Sequence, residues 1–97
     1  MKGYWLVLGA EVTDAEAQQA YGGLWKPIAQ RYGARVNPPE VQAALLEAYK
    51  TTRFIIVEFP SFEDARACHD DPEYAPARDW AAKASQREIV LLRGDLG

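Results

Sequence analysis

The stretch from Arg53 to Tyr74, RFIIVEFPSFEDARACHDDPEY, constrains the fold more than any other part of the chain. Phe54 to Phe59 is aromatic and β-branched, and only Glu58 interrupts its apolar run, which is the pattern of a strand central in its sheet. Pro60 has no N–H to give to a ladder and so ends the strand. Ser61 followed three residues later by Asp64 has capping-box-like spacing, and the acidic first turn suits the positive end of a helix. The joint between strand and helix is therefore tight.

Upstream, Tyr4 to Leu8 is a short apolar segment between Gly3 and Gly9 and predicts a strand. Tyr4, Leu6 and Leu8 share one face, and Trp5 and Val7 the other. Thr13 to Glu16 has the spacing of a capping box, after which Ala17, Tyr21, Leu24, Ile28 and Tyr32 recur at helical intervals and predict one buried stripe. Pro27 removes the bond to the Gly23 carbonyl, which predicts a kink near Gly23, and Gly33 stands where a left-handed cap belongs. Between Arg35 and Thr52 two readings compete. Pro39 followed by VQAALLEAYK has good helix propensity, whereas pairing with neighbouring strands would draw residues 42–47 into an extended segment.

Downstream, a second helix runs from Ser61 to about Asp70, where Pro72 interrupts it. Asp71 can cap a further turn, and Ala77, Ala81 and Ala84 continue an apolar stripe with Tyr74 and Trp80 beside it. Pro76 is expected to bend or restart this helix. Ile89 to Leu92 predicts the last strand. The order β-α-β-β-α-β makes two split β-α-β units: an α+β fold of ferredoxin-like type, one domain over residues 1–97, with an antiparallel sheet and helices on one face. Yet the strands are apolar on both faces, with Phe54 and Ile56 alternating with Ile55, Val57 and Phe59, and Ile89 and Leu91 with Val90 and Leu92. The half that no helix covers predicts burial against a second copy of the chain.

Glu58-Phe59-Pro60-Ser61-Phe62-Glu63, Ala65, Asp71-Pro72-Glu73-Tyr74 and Lys2-Gly3-Tyr4-Trp5 together resemble the domain of unknown function 1330 family. These are small bacterial proteins of the dimeric α+β barrel, ferredoxin-like superfamily, and the likeness runs from Gly3 to about Gly94. It implies a homodimer paired through the sheet face, and it carries no established reaction. In that family an extended segment leads into the central strand, so the resemblance favours the extended reading of residues 42–47, although this chain has Asn37-Pro38-Pro39 where the family has a glycine-rich turn.

Several function classes drop out. Eleven basic and fourteen acidic residues give a net charge of −3, with Lys and Arg scattered, so no basic face for nucleic acid is expected. A single cysteine, Cys68, cannot staple the fold and points to a reducing, cytoplasmic setting. Residues 1–5 lack the apolar run of a signal peptide, and no run of about 18 apolar residues predicts a membrane span. Gly22-Gly23 lies within a helix and opens no phosphate loop after a strand, so neither a nucleotide cofactor nor a metal is expected.

The residues that can carry chemistry are few. His69, Glu58 and Tyr21 are the candidate catalytic groups, as base, acid and orienting hydroxyl. Glu58 in an apolar strand needs a partner, with Arg53 or Arg35 available, or else has a raised pKa. Cys68 and His69 point about 100° apart on a helix and cannot easily share a metal, so Cys68 reads as core. Asp70, Asp71 and Glu73 read as helix-capping residues. Tyr4, Tyr21, Trp25, Tyr49, Phe54 and Trp80 are candidates to line a ligand pocket between sheet and helices. The expected function is a homodimeric module binding a small aromatic or carbonyl-bearing molecule. The alternatives are a cofactor-free enzyme working by proton transfer, of isomerase, cyclase or monooxygenase type by analogy with the superfamily, and an interaction subunit for another protein.

Overall fold

A computed structural model describes residues 1–96. The chain forms β1 (Gly3–Gly9), α1 (Ala15–Arg31), β2 (Arg35–Val36), β3 (Arg53–Phe59), α2 (Phe62–Asp70), α3 (Tyr74–Ala84) and β4 (Arg87–Arg93). The strands make one antiparallel sheet in the order β2-β3-β1-β4. This is the ferredoxin-like α+β arrangement, with its second helix broken in two at Asp71-Pro72. The apolar run Phe54–Phe59 does occupy an inner strand, and β1 beside it is the other.

Register fixes what each face carries. Trp5 and Val7 stand opposite Val57 and Ile55 on β3, and opposite Leu91 and Ile89 on β4. This row packs under the helices with Phe59, Ile28, Ala65, Cys68, Tyr74 and Ala77. The other row, Tyr4, Leu6 and Leu8 with Glu58, Ile56 and Phe54, lies on the face the helices leave free. Trp5 is anchored by its indole N–H, which donates to the Ala65 carbonyl at 2.9 Å. That bond ties β1 to α2 at the center of the core.

The helix termini follow local chemistry. Ser61 caps α2 by accepting from the Asp64 N–H at 3.0 Å. Gly33, at φ +65°, ends α1 with the paired bonds of a left-handed glycine cap, its own N–H reaching Gln30 and that of Ala34 reaching Ala29. At the start of α1 the cap is Asp14, one residue beyond the expected Thr13, and its carboxylate accepts from the Ala17 N–H. The reason is tertiary: the Thr13 N–H and hydroxyl are both engaged by the Ala84 carbonyl at the end of α3. Helix α1 runs unbroken through Pro27; Ala17, Tyr21, Ile28 and Tyr32 of the expected stripe face the core, while Leu24 is turned outward and Trp25 packs inward in its place. In α3, Pro76 falls in the first turn, where an absent N–H costs no helical bond.

Residues 42–47 form neither helix nor strand. β2 is only two residues long, after which Asn37, at φ 49°, turns the chain away while bonding Ile56 through backbone and side chain. Among the described residues no strand lies beyond β2 for the segment to pair with, so an extended strand there has no ladder to join. Leu46 and Tyr49 are accordingly almost fully exposed, at 91% and 96%. No helix among the described residues is long and apolar enough to cross a membrane.

Candidate functional site

Helices α1 and α3 pack against each other over the sheet, and a gap is left between α1 and the strands where α1 carries Gly22 beside Tyr21 and α3 contributes only Ala81. The gap is a cavity of about 220 Å³. Its floor is the helix-facing row Trp5, Val7, Ile55 and Val57, its roof is Gln18, Tyr21 and Trp25, and Ala81 closes one side. Trp5 and Trp25 stack at 5.3 Å between ring centroids, and Trp25 lies nearly parallel to Tyr21 at 6.4 Å. Flat aromatic surface of this kind suits a flat ligand.

One end of the cavity is polar. The hydroxyls of Tyr21 and Tyr74 are 3.1 Å apart, and Arg87 donates to the Tyr74 hydroxyl at 3.0 Å. The Arg87 guanidinium also lies 4.7 Å over the Tyr21 ring, a cation–π contact. Burial pushes the Tyr74 hydroxyl well above its ordinary pKa, as does neighbouring Tyr21, while Arg87 pulls the other way. Tyr74 is therefore neutral and bonded at physiological pH.

Arg53 closes the same end. Its Nε and Nη2 donate to the Ala10 carbonyl at 3.3 and 3.1 Å, and Nη2 donates to the Ser85 hydroxyl at 3.0 Å. Gly9 explains how it fits, since Gly9 pairs with Arg53 on one side and with Arg87 on the other. A Cβ at Gly9 would sit 2.6 Å from Arg53 Nη2. The missing side chain lets the guanidinium lie over the β1 backbone.

The three candidate catalytic residues are not brought together. Tyr21 lines the cavity. Glu58 lies on the opposite sheet face, with its side chain 9% exposed, and is held by Arg35 at 3.0 Å and Lys2 at 3.6 Å. His69 packs edge-on to Trp5 at 5.7 Å and against Tyr74 at 5.6 Å from the far side, and faces outer grooves beside Arg66 and Arg78. Burial, then Arg78, lowers its pKa below the ordinary histidine value. No molecule in the Tyr21 cavity touches all three groups.

Of the five further pocket candidates, only Trp25 lines the cavity. The hydroxyl of Tyr4 accepts from the Leu96 N–H on the helix-free face, where Phe54 also lies. Trp80 is turned outward under Lys83, and Tyr49 projects from the irregular segment beside Lys50. The acidic trio is engaged in structure: Asp71 takes Tyr32 and Arg31, Glu73 takes Arg31, and Asp70 takes Arg66. Among the described residues no group of three His, Cys, Asp or Glu side chains stands where it could hold a metal ion. A larger groove of about 780 Å³ runs along α3 and β4 and shares Ser85 and Arg87 with the cavity, but it is an open surface trough lined mostly by polar, charged and alanine side chains. The aromatic cavity, the less open of the two, is the better candidate.

Sequence reading passed over Trp5, Arg53, Tyr74, Ser85 and Arg87. For Trp5 the alternation with Tyr4 was legible, but not which of the two faces the helices cover. For Arg87 a signal existed: it stands in phase with Ile89 and Leu91, a charge at the head of an apolar row.

Sheet order and helix placement define the chain as a ferredoxin-like α+β protein. More narrowly, it belongs to the family described as domain of unknown function (DUF1330), whose family model matches residues 2–95. No curated protein matches it. Solved structures do. A protein of unknown function from Rhodopseudomonas palustris is 21% identical with a TM-score of 0.65, over 99% of this chain and 84% of that one. A dimeric ferredoxin-like protein of unknown function from Jannaschia is 12% identical with a TM-score of 0.69, over 97% and 100%. SnoaB, a cofactor-independent oxygenase from Streptomyces nogalater, is 11% identical with a TM-score of 0.60, over 99% and 95%. At these identities the likeness is one of fold.

Proposed function

We propose that the protein is a homodimeric binding module for a small aromatic or carbonyl-bearing molecule, held between α1 and the sheet. The observation that carries this is the lining of the cavity: flat indole and phenol surface around about 220 Å³, with the Tyr21 hydroxyl and the Arg53 and Arg87 guanidinium groups at one end. Cavities of about 150 Å³ take up benzene, so a substituted single ring fits. The homodimer forms through the helix-free face. Leu6, Leu8, Phe54 and Leu92 are only partly covered there and Val90 is 45% exposed, and the Jannaschia relative with this fold is described as dimeric. The buried, unpaired thiol of Cys68 fits a reducing compartment such as the cytoplasm. Native mass spectrometry of freshly purified protein tests the reading. A dimer with retained small-molecule mass, lost in Trp25→Ala, is the expected result, and a bare monomer would overturn it.

The second reading is a cofactor-free enzyme, and the Tyr21–Tyr74–Arg87 chain favours it. A ligand carbonyl set against the Tyr21 hydroxyl and the Arg87 guanidinium would be polarised, with Tyr74 holding both donors in place from behind. The fold shared with SnoaB adds analogy only. Tyr21→Phe tests the enzyme reading once a turnover is found: loss of kcat with KM preserved supports it, and an unchanged kcat counts against it.

A further inference from the structure

We propose that the ligand carries a carboxylate, seated between Arg53 and Arg87 at the polar end of the cavity. The inference rests on the binding reading above and specifies its chemistry. The two arginines lead β3 and β4, and each is the register partner of Gly9 on β1 between them. Two strand spacings put their Cα atoms about 10 Å apart on the same sheet face. Both side chains line the one cavity, with the bare backbone of Gly9 separating them.

Among the described residues neither cation is neutralised by a carboxylate. Every ion pair among the described residues involves Lys2, Arg31, Arg35 or Arg66, so no carboxylate pairs with Arg53 or Arg87. Their side-chain hydrogen bonds go to uncharged oxygens: the Ala10 carbonyl and Ser85 hydroxyl for Arg53, and the Tyr74 hydroxyl for Arg87. Two half-buried guanidinium groups thus face one largely apolar cavity with only neutral oxygens and, for Arg87, the Tyr21 ring against them, and among the described residues no anion offsets their charge. A guanidinium stays charged and presents a planar fork of donors that matches a carboxylate, so the missing partner is an anion of that shape. The rest of the cavity sets what the carboxylate is attached to. Trp5, Trp25 and Tyr21 offer flat apolar walls at a volume suited to one ring, which makes the ligand a small aromatic acid.

Isothermal titration of the wild-type protein with 4-methylbenzoate and with its neutral isostere 4-methylbenzamide, at pH 7, tests this. The acid should bind at least about tenfold tighter than the amide, since a charge-assisted bond is stronger than the neutral one that replaces it and tenfold corresponds to about 1.4 kcal/mol. Arg53→Gln and Arg87→Gln should each weaken the acid at least about tenfold and leave the amide within about twofold, with Arg53→Lys and Arg87→Lys intermediate. Equal binding of acid and amide by the wild-type protein would overturn the anion site and leave the cavity reading standing. Acid binding untouched by either arginine variant would overturn it as well. If neither compound binds at millimolar concentration, the cavity reading falls and the anion site with it. The wild-type comparison decides the matter even where a variant folds poorly.

Discussion

Two glycines in the same strand, both on the helix-facing row, give opposite expectations for the same substitution. At Gly3 an added methyl would lie 2.6 Å from the Phe62 Cα, 2.8 Å from the Ser61 carbonyl oxygen and 2.9 Å from the Ala65 Cβ. Unbonded carbons rest at about 3.5–4.0 Å, so the overlap is about 1 Å, and it falls on backbone and on a fully buried alanine. Relief requires α2 to move off β1, which stretches the Trp5 to Ala65 bond. Gly3→Ala should cost about 3 kcal/mol, at the upper end for overpacking. For a domain of this length that lowers Tm by roughly 12–24 °C. At Gly9 the added methyl meets only the end of the Arg53 side chain, which can swing away. Gly9→Ala should therefore change stability by less than about 1 kcal/mol, because part of the lost Arg53 bonding is offset by the lower entropy of the unfolded chain. Its effect should fall on ligand binding, with 4-methylbenzoate weakened and 4-methylbenzamide spared. Thermal and urea unfolding followed by circular dichroism measure the first pair of values. Equal losses at the two positions, or an unaffected Gly3→Ala, would refute the placement of α2 against β1.

Two further outcomes follow from titratable groups. Burial and then Arg78 hold the folded pKa of His69 below 6.5, so the unfolded chain takes up a proton first as pH falls. Its contribution is fully present above that value, declines below it and levels off under the folded pKa; urea midpoints between pH 7.5 and 5 should fall less steeply for His69→Gln, and an unchanged slope would contradict this. The Cys68 thiol is pushed up to about 12, by burial first and then by Asp71, which leaves about one part in ten thousand as thiolate at pH 8. Iodoacetamide should label it only at the rate the structure opens, and rapid labelling of the native protein would mean that the α2 face is not closed.

The elements were legible where one local interaction decides them. Ser61 with Asp64, Gly33 after Tyr32, and the apolar run closed by Pro60 each act within a few residues, and each stands in the structure as the sequence implies. The capping residue of α1 was misplaced by one because Thr13 is held by Ala84, seventy-one positions away. Residues 42–47 read as extended from a family pattern and from strand pairing, but pairing needs a neighbour, and among the described residues no strand lies past β2.

The sequence by itself determined the order of strands and helices and the alternation of side chains along each strand, because periodicity and capping are short-range physics. It also fixed that both sheet faces would be apolar. Only the tertiary structure decided which face the helices cover. That choice put Trp5 rather than Tyr4 in the cavity, sent Glu58 to Arg35 and Lys2 on the other side, and left His69 behind Trp5 and Tyr74. It also set Arg53 and Arg87 on either side of Gly9. Residues 34 positions apart become neighbours across one glycine through strand register, and register is set by the packing of the whole sheet.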